Sequence, residues 1–287
     1  MRVAVVGLGA MGARIATRLL EAGHHIVVWN RSAGKLHALT EQGAVPAATP
    51  AEAAARAEVL ITMVADPTAL RAVSEGAEGI AAGADASLKV VEMSTVGPAA
   101  VAELASSLPA GTGLLDAPVL GGIAEAEAGA LTIFAGGPAR LVESVRPLLE
   151  RLGSVLHVGP LGSGAAAKLV ANAALFGSVA LVGETIALAR GLGLPDARTY
   201  DVLATTPLAA QAERRREAIG AGTYPRRFAL SLACKDAELI RAAASAAGRD
   251  LRLVEATRKW LTAAEACGWG DRDYTAMLAL IFGDRPA

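Results

Sequence analysis

A chain of 287 residues is about twice the common domain size, so two domains or one large one are expected, with room for a sizeable core. Hydrophobic residues make up 53% and charged residues 19%, and a net charge of −1 leaves no positive excess to hold a polyanion, which argues against nucleic acid as a partner. The two cysteines, Cys234 and Cys267, have no metal-ligand neighbours and no paired spacing; no metal site is expected, and both read as small buried hydrophobes in a reducing compartment.

From the N-terminus, Met1 to Gly7 runs into a strand and a glycine turn with no apolar signal region, so a cytoplasmic protein is expected. Strand-like runs follow in order at Arg2–Val6, His25–Trp29, 59–63, 88–93, Gly113–Asp116, 131–135 and 155–158, alternating with helical segments. Such alternation predicts a mostly parallel sheet with crossover helices. Beyond Gly164 the composition turns helical throughout, with no further strand run, which places a domain boundary near Gly162, just before a long apolar helix starting around Ala165. Residues 169–189 of that helix have the length of a membrane span, but Asn172, Glu184 and Thr185 interrupt them, so a buried helix is expected and no membrane partner. The expected fold class is α/β. A Rossmann-like doubly wound sheet (1–162, NADP-binding) precedes an all-helical domain (163–287, substrate and dimerisation), joined by the long helix.

Gly7-Leu8-Gly9-Ala10-Met11-Gly12 is a G-x-G-x-x-G directly after an apolar strand and opening a helix, expected over 13–21. The first glycine permits a tight turn, the second lets backbone approach a pyrophosphate, and the third allows close helix–strand packing, while the helix start offers N–H groups to the anion. The second strand ends at Asn30, eighteen positions after Gly12, where an NAD site would usually carry Asp or Glu for the ribose hydroxyl. Arg31 instead supplies a cationic fork suited to a 2′-phosphate, Ser32 a hydroxyl and Lys35 a second charge. NADP(H) is therefore the expected cofactor; the alternative for Arg31 and Lys35 is ordinary solvated charge.

Lys168 and Asn172 are four residues apart on an apolar helix and so share a face. Burial of a lysine disfavours its charged form and suits it to exchange a proton while hydride moves to or from a carbonyl carbon. The alternative is a lysine whose head reaches solvent from the first helical turn. Phe176, one turn beyond Asn172, is expected in the core.

Taken with Ser94-Thr95-Val96-Gly97-Pro98, Asp116-Ala117-Pro118-Val119-Leu120-Gly121-Gly122, Gly162 to Asn172 and Lys235-Asp236, these motifs span almost the whole chain. The sequence resembles the β-hydroxyacid dehydrogenase family, and Trp29-Asn30-Arg31-Ser32 is most similar to its NADPH-dependent glyoxylate/succinic semialdehyde reductase branch. The resemblance implies that Lys168 is the general acid/base and that Asn172 orients it and the substrate. It also implies that Thr95 contacts cofactor and substrate, and that the backbone amides of Gly121 and Gly122, left free at a turn, receive a substrate carboxylate. By the same likeness Lys235, in a helix expected over 230–247, reaches the cofactor, Asp236 supports the site, and Met63-Val64 lines the adenosine side.

One departure bears on the substrate. Leu120 stands where the family usually has a serine, removing a hydroxyl that commonly holds the substrate's carboxylate. The leading reading is an NADPH-dependent reductase of a small aldehyde or keto acid. The alternative is an imine reductase on the same fold, toward which Leu120 leans, although those enzymes tend to have Asp or Tyr in place of Lys168. From a different class comes a non-catalytic NADP(H)-binding scaffold, which retention of Lys168 and Asn172 opposes. Decarboxylating phosphogluconate dehydrogenases are usually much longer. Alanine-rich apolar helix faces predict a homo-oligomer, dimer or tetramer.

Overall fold

The computed structural model describes residues 1–283, so 284–287 of the expected second domain lie outside it. Among the described residues there are nine strands, β1 (Arg2–Val6), β2 (His25–Trp29), β3 (Val45–Pro46), β4 (Val59–Thr62), β5 (Lys89–Glu92), β6 (Gly113–Asp116), β7 (Val119–Leu120), β8 (Leu131–Gly136) and β9 (Gly153–Gly159). They form one sheet in the order β3-β2-β1-β4-β5-β6-β8-β7, with β9 on β8. All pairings from β3 through β6 are parallel, while β8 runs antiparallel to β6 and β7 and parallel to β9.

The central strands are apolar without alternation because helices cover both faces of a parallel sheet. Along β1, Val3 and Val5 face a core shared with Ile15, Leu19, Ile61 and Leu115, and Ala4 and Val6 face a second shared with Leu60, Ile80 and Leu104. The helix Ala10–Glu21 closes the first core with Gly12, Ile15, Ala16 and Leu19, a spacing that gathers them on one stripe. The chain builds β1, β2 and β3 outward and then returns to place β4 on the other side of β1. That reversal opens a crevice at the carboxyl ends of β1 and β4.

The expected strand order along the chain is found, with ends moved by one or two residues, but β3 and β7 were not anticipated. Each has only two residues, too few for a run of apolar side chains to register. Past Gly164 the described residues hold no strand, only an isolated bridge between Ala229 and Asp273.

The chain divides into two compact units, Met1–Leu169 and a second from Val170 onward. The helix Ser163–Gly191 begins in the first and continues into the second. It is the one helix among the described residues long and apolar enough to cross a membrane. Its Phe176, Val179, Val182 and Ile186 are at most 2% exposed, which marks a core helix of the second unit. Phe176 lies in the core as expected, with Phe228 at 6.3 Å and Tyr274 at 5.6 Å between ring centres. The Arg215 guanidinium donates to the Tyr274 hydroxyl at 2.9 Å, so this buried phenol has a partner.

One of the two cysteines differs from expectation. Cys234 is buried, but Cys267 is exposed, because it falls in the wide turn Glu265–Trp269 that ends a helix rather than on a packed face. Burial pushes the Cys234 thiol up to about 12, with Glu265 adding to the effect. A thiol-reactive dye at about pH 8 is expected to label one cysteine in the native protein, Cys267, and both after denaturation. Peptide mapping of the labelled chain checks the assignment.

Candidate functional site

The glycine turn sits at the crevice where strand order reverses. Gly7 has φ +99°, and a Cβ there would lie 2.3 Å from the Met63 carbonyl oxygen; a Cβ on Gly12 would lie 2.0 Å from that of Gly7. Gly9 differs from both: a side chain there would meet nothing within 4 Å. Gly9 also precedes the helix Ala10–Glu21, whose start is capped by no side chain and has no acid in its first turn. Open space in front of amide groups at a helix start, with no competing carboxylate, fits a bound pyrophosphate. Leu8 and Gly12 are buried, Met11 half-buried, and Gly9 and Ala10 exposed at the mouth of the turn.

The Asn30 side chain ties this turn to the end of β2. Its Oδ1 accepts from the Leu8 N–H at 2.9 Å and its Nδ2 donates to the Ser32 carbonyl at 3.1 Å. Arg31, Ser32 and Lys35 are exposed beyond it, Lys35 at the end of the short turn Ala33–Lys35.

At the ends of β4 and β5, Met63, Val64 and Thr95 are half-buried. Beneath them Glu92, 1% exposed, accepts from the Thr62 hydroxyl at 2.5 Å and from the Ser94 N–H at 2.8 Å. The Ser94 hydroxyl in turn accepts from the Val64 N–H at 2.8 Å and donates to Glu92 at 3.3 Å. One buried carboxylate thus fixes the two turns that carry Val64 and Thr95. Sequence reasoning did not single out Glu92; the available signal was an acid directly after Val90 and Val91 at the end of a strand.

The loop after β7 departs from expectation. Leu120 is half-buried and pairs with Thr132 across β7 and β8. The Gly122 N–H is not open as expected but donates to Glu125 Oε2 at 2.7 Å. Glu125 lies in the first turn of the helix Ile123–Ala128, and a glutamate three residues past a helix cap folds back onto the cap's amide.

Asp116 closes β6 fully buried, and its carboxylate accepts from the Gly162 N–H at 2.8 Å and the Ala165 N–H at 2.6 Å. Burial pushes this carboxyl above the usual range, while the amides of Ala165, Gly162 and Gly164 pull it back. A Cβ on Gly136 would sit 2.5 Å from Asp116 Oδ1, so only glycine leaves the carboxylate its place. Asp116 therefore anchors the start of the helix Ser163–Gly191. Lys168, 9% exposed, stands in that helix's second turn, within the first unit.

The second unit holds the other expected residues. Asn172, 1% exposed, donates from Nδ2 to Asp236 Oδ2 at 2.8 Å. Lys235 Nζ lies 2.6 Å from Asp236 Oδ1, and both are on the helix Leu230–Ala246. The structure thus brings Gly7, Leu8, Asn30, Met63 and Val64 together in one unit and Asn172, Lys235 and Asp236 together in the other. Among the described residues no group of three or more His, Cys, Asp or Glu is placed to hold a metal ion.

Two family models match the chain. Residues 2–159 match the NAD binding domain of 6-phosphogluconate dehydrogenase, and residues 162–281 match the NAD-binding domain of NADP-dependent 3-hydroxyisobutyrate dehydrogenase. The 3-sulfolactaldehyde reductase of Escherichia coli K12 is 32% identical over 96% of this chain and 94% of its own. Among solved structures, Mycobacterium tuberculosis 3-hydroxyisobutyrate dehydrogenase with L-serine superposes with a TM-score of 0.89 at 26% identity, covering 98% of each chain. A Streptomyces aurantiacus imine reductase superposes with a TM-score of 0.61 at 25% identity, covering 98% of this chain and 99% of that one.

The substitution Asp116→Ala removes the acceptor of two backbone N–H groups in a buried place and is expected to cost about 2 kcal/mol or more of stability. Asp116→Asn keeps one acceptor oxygen and should lose less. Urea unfolding of the three proteins measures both differences.

Proposed function

This chain belongs to the β-hydroxyacid dehydrogenase family, and from that premise we propose that it is an NADPH-dependent reductase of a small aldehyde or keto acid. Carrying this reading is a buried lysine, Lys168, one helical turn ahead of a buried asparagine that is itself held by Asp236. A buried amine one turn before a hydrogen-bonded amide on the same helix supports the role of proton donor.

When bound, the reduced nicotinamide supplies the hydride. The chain's own residues do the rest. The glycine turn and the start of the helix Ala10–Glu21 hold the pyrophosphate, with Asn30 keeping the Leu8 amide in place. Arg31, Ser32 and Lys35 take the 2′-phosphate, and the absence of an acid at Asn30 favours NADP(H) over NAD(H). Met63 and Val64 border the adenosine side. Thr95 touches cofactor and substrate, and Lys235 reaches the cofactor. Lys168 Nζ delivers a proton to the oxygen as it gains charge, and Asn172 orients substrate and lysine while Asp236 supports Asn172. Leu120, Gly121 and Gly122 form the wall of the substrate loop. In domain terms, residues 1–162 hold the cofactor and 163–287 carry substrate contacts and the dimer face. Two free thiols fit a reducing, cytoplasmic setting.

An imine reductase is the second reading, favoured by Leu120, which offers no hydroxyl to a substrate carboxylate. A panel of aldehydes, keto acids and cyclic imines, each with NADPH and NADH, tests both. Turnover of aldehydes with NADPH, at higher kcat/KM than with NADH, is expected. Lys168→Ala should lower kcat about 100-fold or more with NADPH binding nearly kept. Activity that survives this change, or equal efficiency with NADH, overturns the corresponding part of the reading.

The second unit exposes Val170 (71%), Leu188 (62%), Leu192 (76%) and Val202 (55%), and we assign this apolar surface to a second copy of the chain. Sedimentation is expected to give a dimer or tetramer; a monomer at micromolar concentration removes the assignment.

A further inference from the structure

The second unit buries a positive charge and gives it no negative partner. Arg215, 6% exposed, donates from Nη1 to the Gln211 carbonyl at 3.2 Å and to Gln211 Oε1 at 2.5 Å, and from Nη2 to the Tyr274 hydroxyl at 2.9 Å. All these acceptors are neutral, and the Arg215 Nε has no acceptor among the described residues. Elsewhere in the chain the Nε and Nη2 edge of an arginine holds a carboxylate side-on: Arg190 takes Asp196 at 3.0 and 2.8 Å, and Arg258 takes Glu255 at 3.0 and 2.8 Å. On Arg215 the same edge carries a phenol at one corner and nothing at the other. Asp273, next to Tyr274 in sequence, is committed elsewhere. Its Oδ2 accepts from the Arg227 and Phe228 amides at 2.8 and 2.9 Å, and its Oδ1 from the Thr275 amide and hydroxyl at 3.1 and 2.5 Å.

The surroundings point to an anion. The Tyr274 oxygen accepts from Arg215, and its own O–H has no acceptor among the described residues. Tyr274 packs against Phe176 at 5.6 Å and Phe228 at 5.8 Å between ring centres, and Phe176 shares a helix face with Asn172 one turn back. Phe228 and Gln211 are half-buried, so the cluster reaches the surface of the unit. Exposed Arg214 adds positive field at Tyr274. From Ala209 to Phe228 the chain carries five arginines against two glutamates, although the whole protein has a net charge of −1.

We propose that Arg215 and Tyr274 form the receptor for a carboxylate at the far end of the substrate, one oxygen taking the Arg215 Nε–H and the other the Tyr274 O–H. This rests on the reading of the Asn172 face as the substrate side of a reductase. Within that reading it narrows the substrate to a carbonyl compound whose acid group stands several carbons from the carbonyl, because one helical turn and one ring contact separate Asn172 from Tyr274. The physical reason is an incomplete pair. A guanidinium taken out of water among neutral groups has lost hydration without gaining an opposite charge. A carboxylate supplies that charge with two charge-assisted hydrogen bonds, which an ester or amide of the same length does not.

The test compares molecules that differ in that charge. With NADPH, 5-oxopentanoate and methyl 5-oxopentanoate serve as substrates; with NADP+, pentanoate and pentanamide serve as unreactive analogues whose binding is followed by calorimetry. The wild type is expected to favour the carboxylate of each pair by about tenfold or more. Arg215→Met should abolish both preferences. Arg215→Lys, which keeps the charge but not the planar edge, and Tyr274→Phe, which keeps the ring but not the O–H, should each narrow them by about threefold or more. These two variants decide the matter if Arg215→Met does not fold. A wild type that binds pentanamide as well as pentanoate, or preferences that move in neither Arg215→Lys nor Tyr274→Phe, overturns the proposal. If neither aldehyde is reduced while the pentanoate preference is present and depends on Arg215, the reductase reading falls and the carboxylate receptor stands. If both aldehydes are reduced and both pairs are charge-blind, the receptor falls and the reductase reading stands.

Discussion

The carboxylate of Asp116 is the contact on which the arrangement of the first unit turns. It ends a strand inside the sheet, where a charge is costly, and offsets that cost by taking two amides at the start of the longest helix. A helix start has N–H groups with no partner inside the helix, so an acid fixed at the sheet edge both satisfies them and aims the helix. Lys168 stands in the second turn from that anchor, and its position is inherited from the sheet rather than from a flexible loop. Gly136 is part of the same device, because any side chain there would occupy the volume of the carboxylate.

A similar economy governs the carboxyl edge of the sheet at β4 and β5. Glu92 joins Thr62 on one strand to Ser94 beyond the next, and Ser94 reaches back to the Val64 amide. The turns that carry Met63, Val64 and Thr95 are thereby held by a network in which each buried polar atom has a partner, and such a network tolerates few geometries. Rigid turns next to a close-packed glycine, Gly7 against Met63, leave little freedom at the mouth of the crevice.

Much of this was legible in the chain itself. β1, β2 and β6 are apolar runs bounded by glycine or turn residues, and their ends were read to the residue. The stubs β3 and β7 were missed because two residues carry no periodic signal. Glu92 and Asp116 fall on expected strands but carry no sequence signal of a site, because an acid at a strand end reads as polar punctuation and only the fold reveals that both are buried. Cys267 was misread because its neighbours are apolar while its place in a wide turn turns it outward. The Gly122 amide was expected to be open since a glycine-glycine pair suggests bare backbone; the glutamate three positions later was the signal that it is not.

The double attachment of Asn30 has a consequence for how cofactor preference evolves in such a chain. The residue at the end of β2 is the one that most easily trades one nucleotide for another, and here the same side chain clamps the Leu8 amide and the Ser32 carbonyl. An aspartate would keep the acceptor for Leu8 but set a carboxylate oxygen against the Ser32 carbonyl, loosening the segment that presents Arg31. The course of residues 30–32 and the geometry of the glycine turn are thus written in one side chain, and any replacement of Asn30 has to reshape residues 30–32 together instead of one letter at a time.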